Sequence, residues 1–206
     1  MSSSGLWVVG AMSGADIARL APDTVPAIRH AAASPVLAAA WRRWERDAAP
    51  GGGAVPVWRE DGYNTDEALR LLDMVNGSPL DALDSLGALD VIDWWNELDT
   101  DIEPFTSSAR KDNPVAALFH ALGPERAAAL PGCLGDAVLT AAELRAALPR
   151  VEAALAFTAP ERETALARAA DWPEAEDPAA LLDEPLRVLR EAAASALGLF
   201  TARIWI

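Results

Sequence analysis

Leu199-Phe200-Thr201-Ala202-Arg203-Ile204-Trp205-Ile206 alternates in side-chain character with a period of two. In an extended chain this places Phe200, Ala202, Ile204 and Ile206 on one face, with Thr201, Arg203 and Trp205 on the other. Gly198 separates the stretch from the alanine-rich run before it. It reads as a strand. The other strongly β-prone part of the chain is Gly5-Leu6-Trp7-Val8-Val9-Gly10, again aromatic and β-branched. Leu6 to Val9 is the expected partner of the closing strand, and their pairing brings the termini together. Ala54 to Arg59 reads as a short third strand, placed at an edge by Pro56.

Between these strands the punctuation is helical. Ser13 with Asp16 resembles a capping box opening a short helix through Leu20. Ser34-Pro35 combines an N-cap with a first-turn proline and starts a helix to about Ala48, with Leu37, Trp41 and Trp44 on one face. Pro50-Gly-Gly-Gly ends it, and Asn64-Thr65-Asp66-Glu67 opens the next helix, which stops at Gly77. Ser78-Pro79 starts a short helix to Gly87, and Ala88 to Leu98 forms another that carries Trp94 and Trp95. Asn113-Pro114 begins a helix that Gly123-Pro124 ends. Thr140 with Glu143 leads one to about Phe157, kinked at Pro149, and Thr158 begins one to Ala170. The last helix spans Ala179 to Leu197 around Pro185. The expected class is α+β: mostly helical, with a small sheet holding the N-terminal and C-terminal strands.

The 206 residues suit one domain, 1–206, with an acidic helical segment at about 60–109. Alanine supplies 45 of them and buries little area; Leu, Val, Ile and eight Trp carry the core. Sixteen Arg to one Lys, beside so much alanine, matches the codon bias of a GC-rich genome and says nothing of function. No run approaches the roughly 18 apolar residues of a membrane span. The N-terminus lacks the basic start of a secretory signal, so a cytoplasmic location is expected. A single cysteine, Cys133, forms no internal disulfide.

Charge is unevenly spread. Residues 1–59 hold six basic and four acidic side chains, residues 60–109 one and thirteen, and residues 110–206 ten and fourteen. The total of −14 disfavours direct nucleic-acid binding. Between Arg70 and Arg110 no cation offsets Asp90, Asp93, Glu97, Asp99, Asp101 and Glu103. Like charges at this density repel one another. One reading is a solubilising face. The sharper one is a partner-binding surface in which Trp94 or Trp95 is an aromatic anchor among carboxylates.

Catalytic and metal chemistry finds little support. Asp99-Thr-Asp-Ile-Glu-Pro resembles the start of an EF-hand loop, but Pro104 and Arg110 stand where Gly and Glu are needed. A loose cation site on Asp99, Asp101 and Glu103 is the most that stretch could offer. His30, His120 and Cys133 lack zinc-ligand spacing. A Cys133/His120 nucleophile pair is conceivable; the blander readings are a small buried cysteine and a histidine at a helix C-terminus. Gly51-Gly52-Gly53 follows a helix and precedes a strand, the reverse of a phosphate loop. No cofactor and no metal are expected, and no catalytic residue is assigned.

The order of elements resembles the YfbM-like family of bacterial proteins. The stretches that carry the resemblance are Leu6 to Leu20, Thr65-Asp-Glu-Ala-Leu-Arg to Gly77, Leu139-Thr-Ala-Ala-Glu-Leu, and Leu199 to Ile206. The family's central Trp-His falls on Leu69-Arg70, so a role resting on those two residues does not transfer. The resemblance implies an α+β fold and supplies no activity, although small acidic proteins of this sort often serve as immunity or accessory factors.

Two functions follow as expectations. The first is a non-enzymatic interaction protein whose acidic surface binds a basic protein partner, such as a toxin or a nucleic-acid-binding protein, in the manner of an immunity or antitoxin factor. The alternative is a small-molecule-binding protein or enzyme with a pocket built from some of Trp41, Trp44, Trp58, Trp94 and Trp172. A homodimer through an alanine-rich helix face is compatible with either.

Overall fold

The computed structural model describes residues 4–48, 57, 64–81, 100–110, 113–172 and 177–205. In chain order its elements are strand β1 (Ser4–Met12), helices α1 (Gly14–Ala32), α2 (Pro35–Asp47) and α3 (Asp66–Val75), strand β2 (Phe105–Arg110), helix α4 (Pro114–Ala127), strand β3 (Ala137–Leu139), helices α5 (Ala141–Leu155), α6 (Ala159–Ala170) and α7 (Pro178–Ala194), and strand β4 (Gly198–Trp205). The fold is α+β, as the sequence implies. The expected terminal pairing forms the centre of the sheet: β1 and β4 run antiparallel, with Leu6 opposite Ile204 and Val8 opposite Ala202.

The sheet has four antiparallel strands in the order β2-β1-β4-β3. Helices cover both of its faces. On one, Trp7, Val9, Ala11 and Leu199 join a large core with α4, α5 and α7. On the other, Val8, Met12, Phe200, Ala202 and Ile204 pack against Ile17 and Ile28 of α1. The period-two alternation of β4 therefore separates two interiors instead of an inside from an outside. Thr201 and Arg203 are buried as fully as their apolar neighbours. Helix α4 lies deepest, with Pro114 to Phe119 all buried, which suits a helix that is apolar all round.

The helix starts follow local capping. Ser34, Thr65, Asn113, Thr140 and Thr158 each accept a backbone N–H of their first turn, and the last two form complete capping boxes. Gly123 breaks α4 with φ 71° and ψ 166°, after which the chain resumes helical geometry at Pro124.

Three features depart from expectation. Helix α1 does not stop at Leu20 but runs through Pro22 and Pro26 to Ala32. Each internal proline removes a hydrogen bond at a cost of about 3 kcal/mol; the burial of Ile17, Thr24 and Ile28 against the sheet outweighs it. Strands β2 and β3 are additional to those expected. Of the expected edge strand at Ala54 to Arg59, only Val57 is described; its carbonyl accepts the Thr65 N–H at 2.8 Å. The expected helix at Ala88 to Leu98, and residues 82–87 of the one before it, lie outside the described residues.

Candidate functional site

The loop from Pro131 to Asp136 carries three left-handed residues among four: Gly132 (φ 82°), Leu134 (φ 52°) and Gly135 (φ 98°). Gly132 has no substitute, because a Cβ there would lie 2.0 Å from the Asp136 carbonyl oxygen. Leu134 is the costly member, since a left-handed L-residue loses about 1–2 kcal/mol. Two side chains of the sheet hold the loop. Trp7 Nε1 donates to the Gly135 carbonyl at 2.9 Å, and Thr201 Oγ1 donates to the same oxygen at 2.7 Å.

This curvature delivers Asp136 under β4. Arg203 donates to its carboxylate through the backbone N–H (2.7 Å), Nε (3.2 Å) and Nη2 (2.7 Å), and Ser78 Oγ donates at 2.9 Å. Arg203 Nη1 donates to the Val75 carbonyl at the end of α3. The two charged side chains are 0% and 1% exposed. Burial pushes the Asp136 carboxyl up, against the pull of the Arg203 guanidinium. A charge pair taken out of water persists only when its hydrogen bonds are satisfied, and here β4, the Pro131–Asp136 loop and the end of α3 with Ser78 supply them. Cys133, buried at the same loop, forms a bridge with Asp136, and burial raises its thiol away from the reactive thiolate form.

Helix α2 lies over this region. None of its residues is fully buried. It is held by an aromatic contact in which Trp44 stacks on Phe119 at 6.0 Å, while Trp41 meets both rings edge-on. Open clefts flank it. One, of about 510 Å³, lies toward α3 and is lined by Leu37, Trp44, Met74, Ser78, Cys133 and Arg203, among others. The second, of about 460 Å³, lies toward α4 and includes Trp41, Phe119 and Gly132. Leu37, Cys133 and Leu134 line both, so the two clefts run along opposite flanks of one helix above one loop. Both volumes fall in the range of about 300–1,000 Å³ typical of small-molecule sites.

The described rim of the first cleft carries charges of both signs. His30, Arg43 and Arg70 stand on it with one acid, Asp73. Arg70 is paired with Asp47 at 3.1 Å. Arg43 has no ion pair or hydrogen bond among the described residues.

The residues singled out from sequence fall differently. Asp90, Asp93, Trp94, Trp95, Glu97 and Asp99 lie outside the described residues. Asp101 and Glu103 are exposed, just before β2, and the Glu103 carbonyl accepts from Arg187. Among the described residues no three His, Cys, Asp or Glu side chains gather to hold a metal ion. Of the tryptophans proposed for a pocket, Trp44 and Trp41 line clefts, whereas Trp172 is buried beside His120, with ring centroids 5.9 Å apart. Trp58 and Trp94 are outside the described residues. Burial lowers the His120 pKa to about 4. Cys133 belongs to the cluster under α1, away from the His120–Trp172 contact. The sequence reading missed Asp136 and Arg203. Its available signal was a lone arginine inside an apolar strand, which demands a buried acceptor.

Compared with known protein families, curated proteins and solved structures, the chain matches none.

Proposed function

We propose that this chain is a small-molecule-binding protein whose site is the cleft between α2 and α3. What supports this is the cleft itself: about 510 Å³, with Trp44 and Leu37 on one wall and Ser78 and Arg203 on another, both held by hydrogen bonds to Asp136 behind them. Binding sites combine an apolar lining with a few fixed polar groups, and this arrangement has both. The test is a thermal-shift screen of metabolites, followed by tryptophan fluorescence. A specific ligand raises the melting temperature and perturbs emission, and Ala40→Phe, which fills the cleft, abolishes both responses. A hit that binds the filled variant equally well contradicts the assignment.

A second reading rests on charge. The segment 60–109 carries thirteen acidic residues and one basic, and Asp101 and Glu103 are exposed. On this reading the segment docks a basic protein, a nuclease or another nucleic-acid-binding protein being the natural target, with carboxylates standing in for phosphates. The YfbM-like resemblance is part of this proposal. Association would be fast and salt-sensitive, and reversing Asp93, Glu97 and Asp101 to Lys would weaken it. Unchanged partner affinity at low salt would reduce the acidic face to a solubilising role.

A further inference from the structure

The cleft between α2 and α3 has a chemical polarity of its own. Its walls are apolar: Leu37, Ala40, Trp44, Met74 and Leu134, with Val36 at the lip and 79% exposed. A single exposed aliphatic side chain is ordinary on a protein surface, but Val36 continues the apolar wall of the cleft outward. The Trp44 indole N–H, unlike that of Trp41, has no hydrogen-bond partner among the described residues; Trp41 Nε1 donates to Glu45 at 3.0 Å. Arg43, the residue before Trp44, likewise has no hydrogen bond or ion pair among the described residues, as is also true of Arg42 and Arg46 on the same helix, and of the three it is the one that lines this cleft. The N-terminal turn of α2, through Ser34, Val36 and Leu37, also opens on this cleft and adds its positive dipole end. The opposing helix end is neutralised: Arg203 takes the Val75 carbonyl and Trp205 Nε1 takes that of Asn76 at 3.0 Å.

We infer that the cleft takes a small amphiphilic organic anion, its apolar body on Trp44 and Leu37 and its charged group against Arg43 and the first turn of α2. This rests on the assignment of the cleft as the binding site and adds the class of ligand. A neutral apolar molecule would leave Arg43 and the indole N–H unused. A cation would meet Arg43 and the positive end of α2. An anion without an apolar body would leave Val36 in water.

Anilinonaphthalene sulfonate is a suitable probe, because it joins an aromatic body to one negative charge and fluoresces when its rings leave water. The experiment titrates it into the folded protein, beside its uncharged parent N-phenylnaphthylamine. Four variants are compared: Arg43→Glu, Ala40→Phe, Val36→Trp, and Arg145→Glu as a distant control on α5. Near-ultraviolet dichroism confirms that each is folded, and Val36→Trp blocks the mouth from an exposed position should Ala40→Phe fail to fold. The expected result is one dye site, weakened about tenfold by Arg43→Glu, abolished by either blocking variant and unchanged by Arg145→Glu, with the neutral parent at least about tenfold weaker. If the parent binds as well as the dye and Arg43→Glu has no effect, while the blocking variants still abolish binding, the anion is wrong and the cleft stands. If dye binding survives both blocking variants, or does not occur, cleft and anion are both overturned.

Discussion

Asp136 and Arg203 lie 67 positions apart in sequence, yet the carboxylate of one accepts three hydrogen bonds from the other. The pair joins the Pro131–Asp136 loop to β4, and through Ser78 and the Val75 carbonyl it also ties down the end of α3. The loop, β4 and α3 sides of the first cleft are thus tied together by one buried contact.

Removing one partner should therefore be severe. Arg203→Met or Asp136→Leu alone is expected to cost about 3–5 kcal/mol, because the remaining charge is left buried without its counterpart. Asp136→Leu combined with Arg203→Met should cost much less than the sum of the single changes. Urea denaturation of the four proteins measures this. Additive single effects would mean that the two side chains act independently.

Gly132→Ala should be among the most damaging single-methyl additions. The new Cβ would overlap the Asp136 carbonyl at 2.0 Å and sit in a left-handed conformation. The same change at Gly77, where nothing lies within 4 Å, is the matched control. Melting temperatures of the two variants decide the matter: Gly132→Ala should fall steeply and Gly77→Ala little. Equal values would show that the loop relaxes freely.

His120 gives a pH signature. Its folded pKa is lowered to about 4 from the ordinary 6.5 of an exposed imidazole, by burial first and by Arg168 second. The unfolded chain therefore binds the proton more readily, and the contribution of His120 to stability is complete above pH 6.5 and declines as pH falls toward 4. Replacement by Phe should flatten the loss of stability between pH 6.5 and 4 relative to the parent protein. An NMR titration of the His120 ring should show it neutral at pH 6; a midpoint near 6.5 there would contradict the burial argument.

Helix α2 should be the first described helix to open. It has no fully buried residue and is held chiefly by Leu37, Trp41 and Trp44, whereas β1 and β4 are buried on both faces. Native-state hydrogen exchange should find its amides exchanging about a hundredfold faster or more than those of β4. Trp44→Ala should widen the gap by removing the stack on Phe119. Equal protection of α2 and β4 would refute the picture of a loosely seated helix.

What could be read from the sequence was local. Ser34, Thr65, Asn113, Thr140 and Thr158 act within one turn of themselves, so their helix starts are visible in a short window. The pairing of β1 with β4 was legible because both stretches are intrinsically extended and apolar. Strand β2 was not, since Phe105-Thr-Ser-Ser-Ala-Arg is polar and becomes a strand through its pairing with β1. The persistence of α1 through Pro22 and Pro26 depends on tertiary burial of Ile17 and Ile28, which no local rule weighs. The candidate site was half legible. Leu37, Trp41 and Trp44 share a face that spacing alone reveals, but the loop, the Asp136–Arg203 pair and the cleft between them arise from contacts distant in sequence.

The most direct experiment on the proposed site is a ¹H–¹⁵N NMR titration of the labelled protein with anilinonaphthalene sulfonate. Saturable shifts at the Trp44 indole and at the backbone amides of Ala40, Met74 and Ser78, which line this cleft and not the second, with α6 and α7 unmoved, are the predicted result. Shifts centred elsewhere, or no saturable shifts at all, would contradict the assignment of the α2–α3 cleft as the binding site.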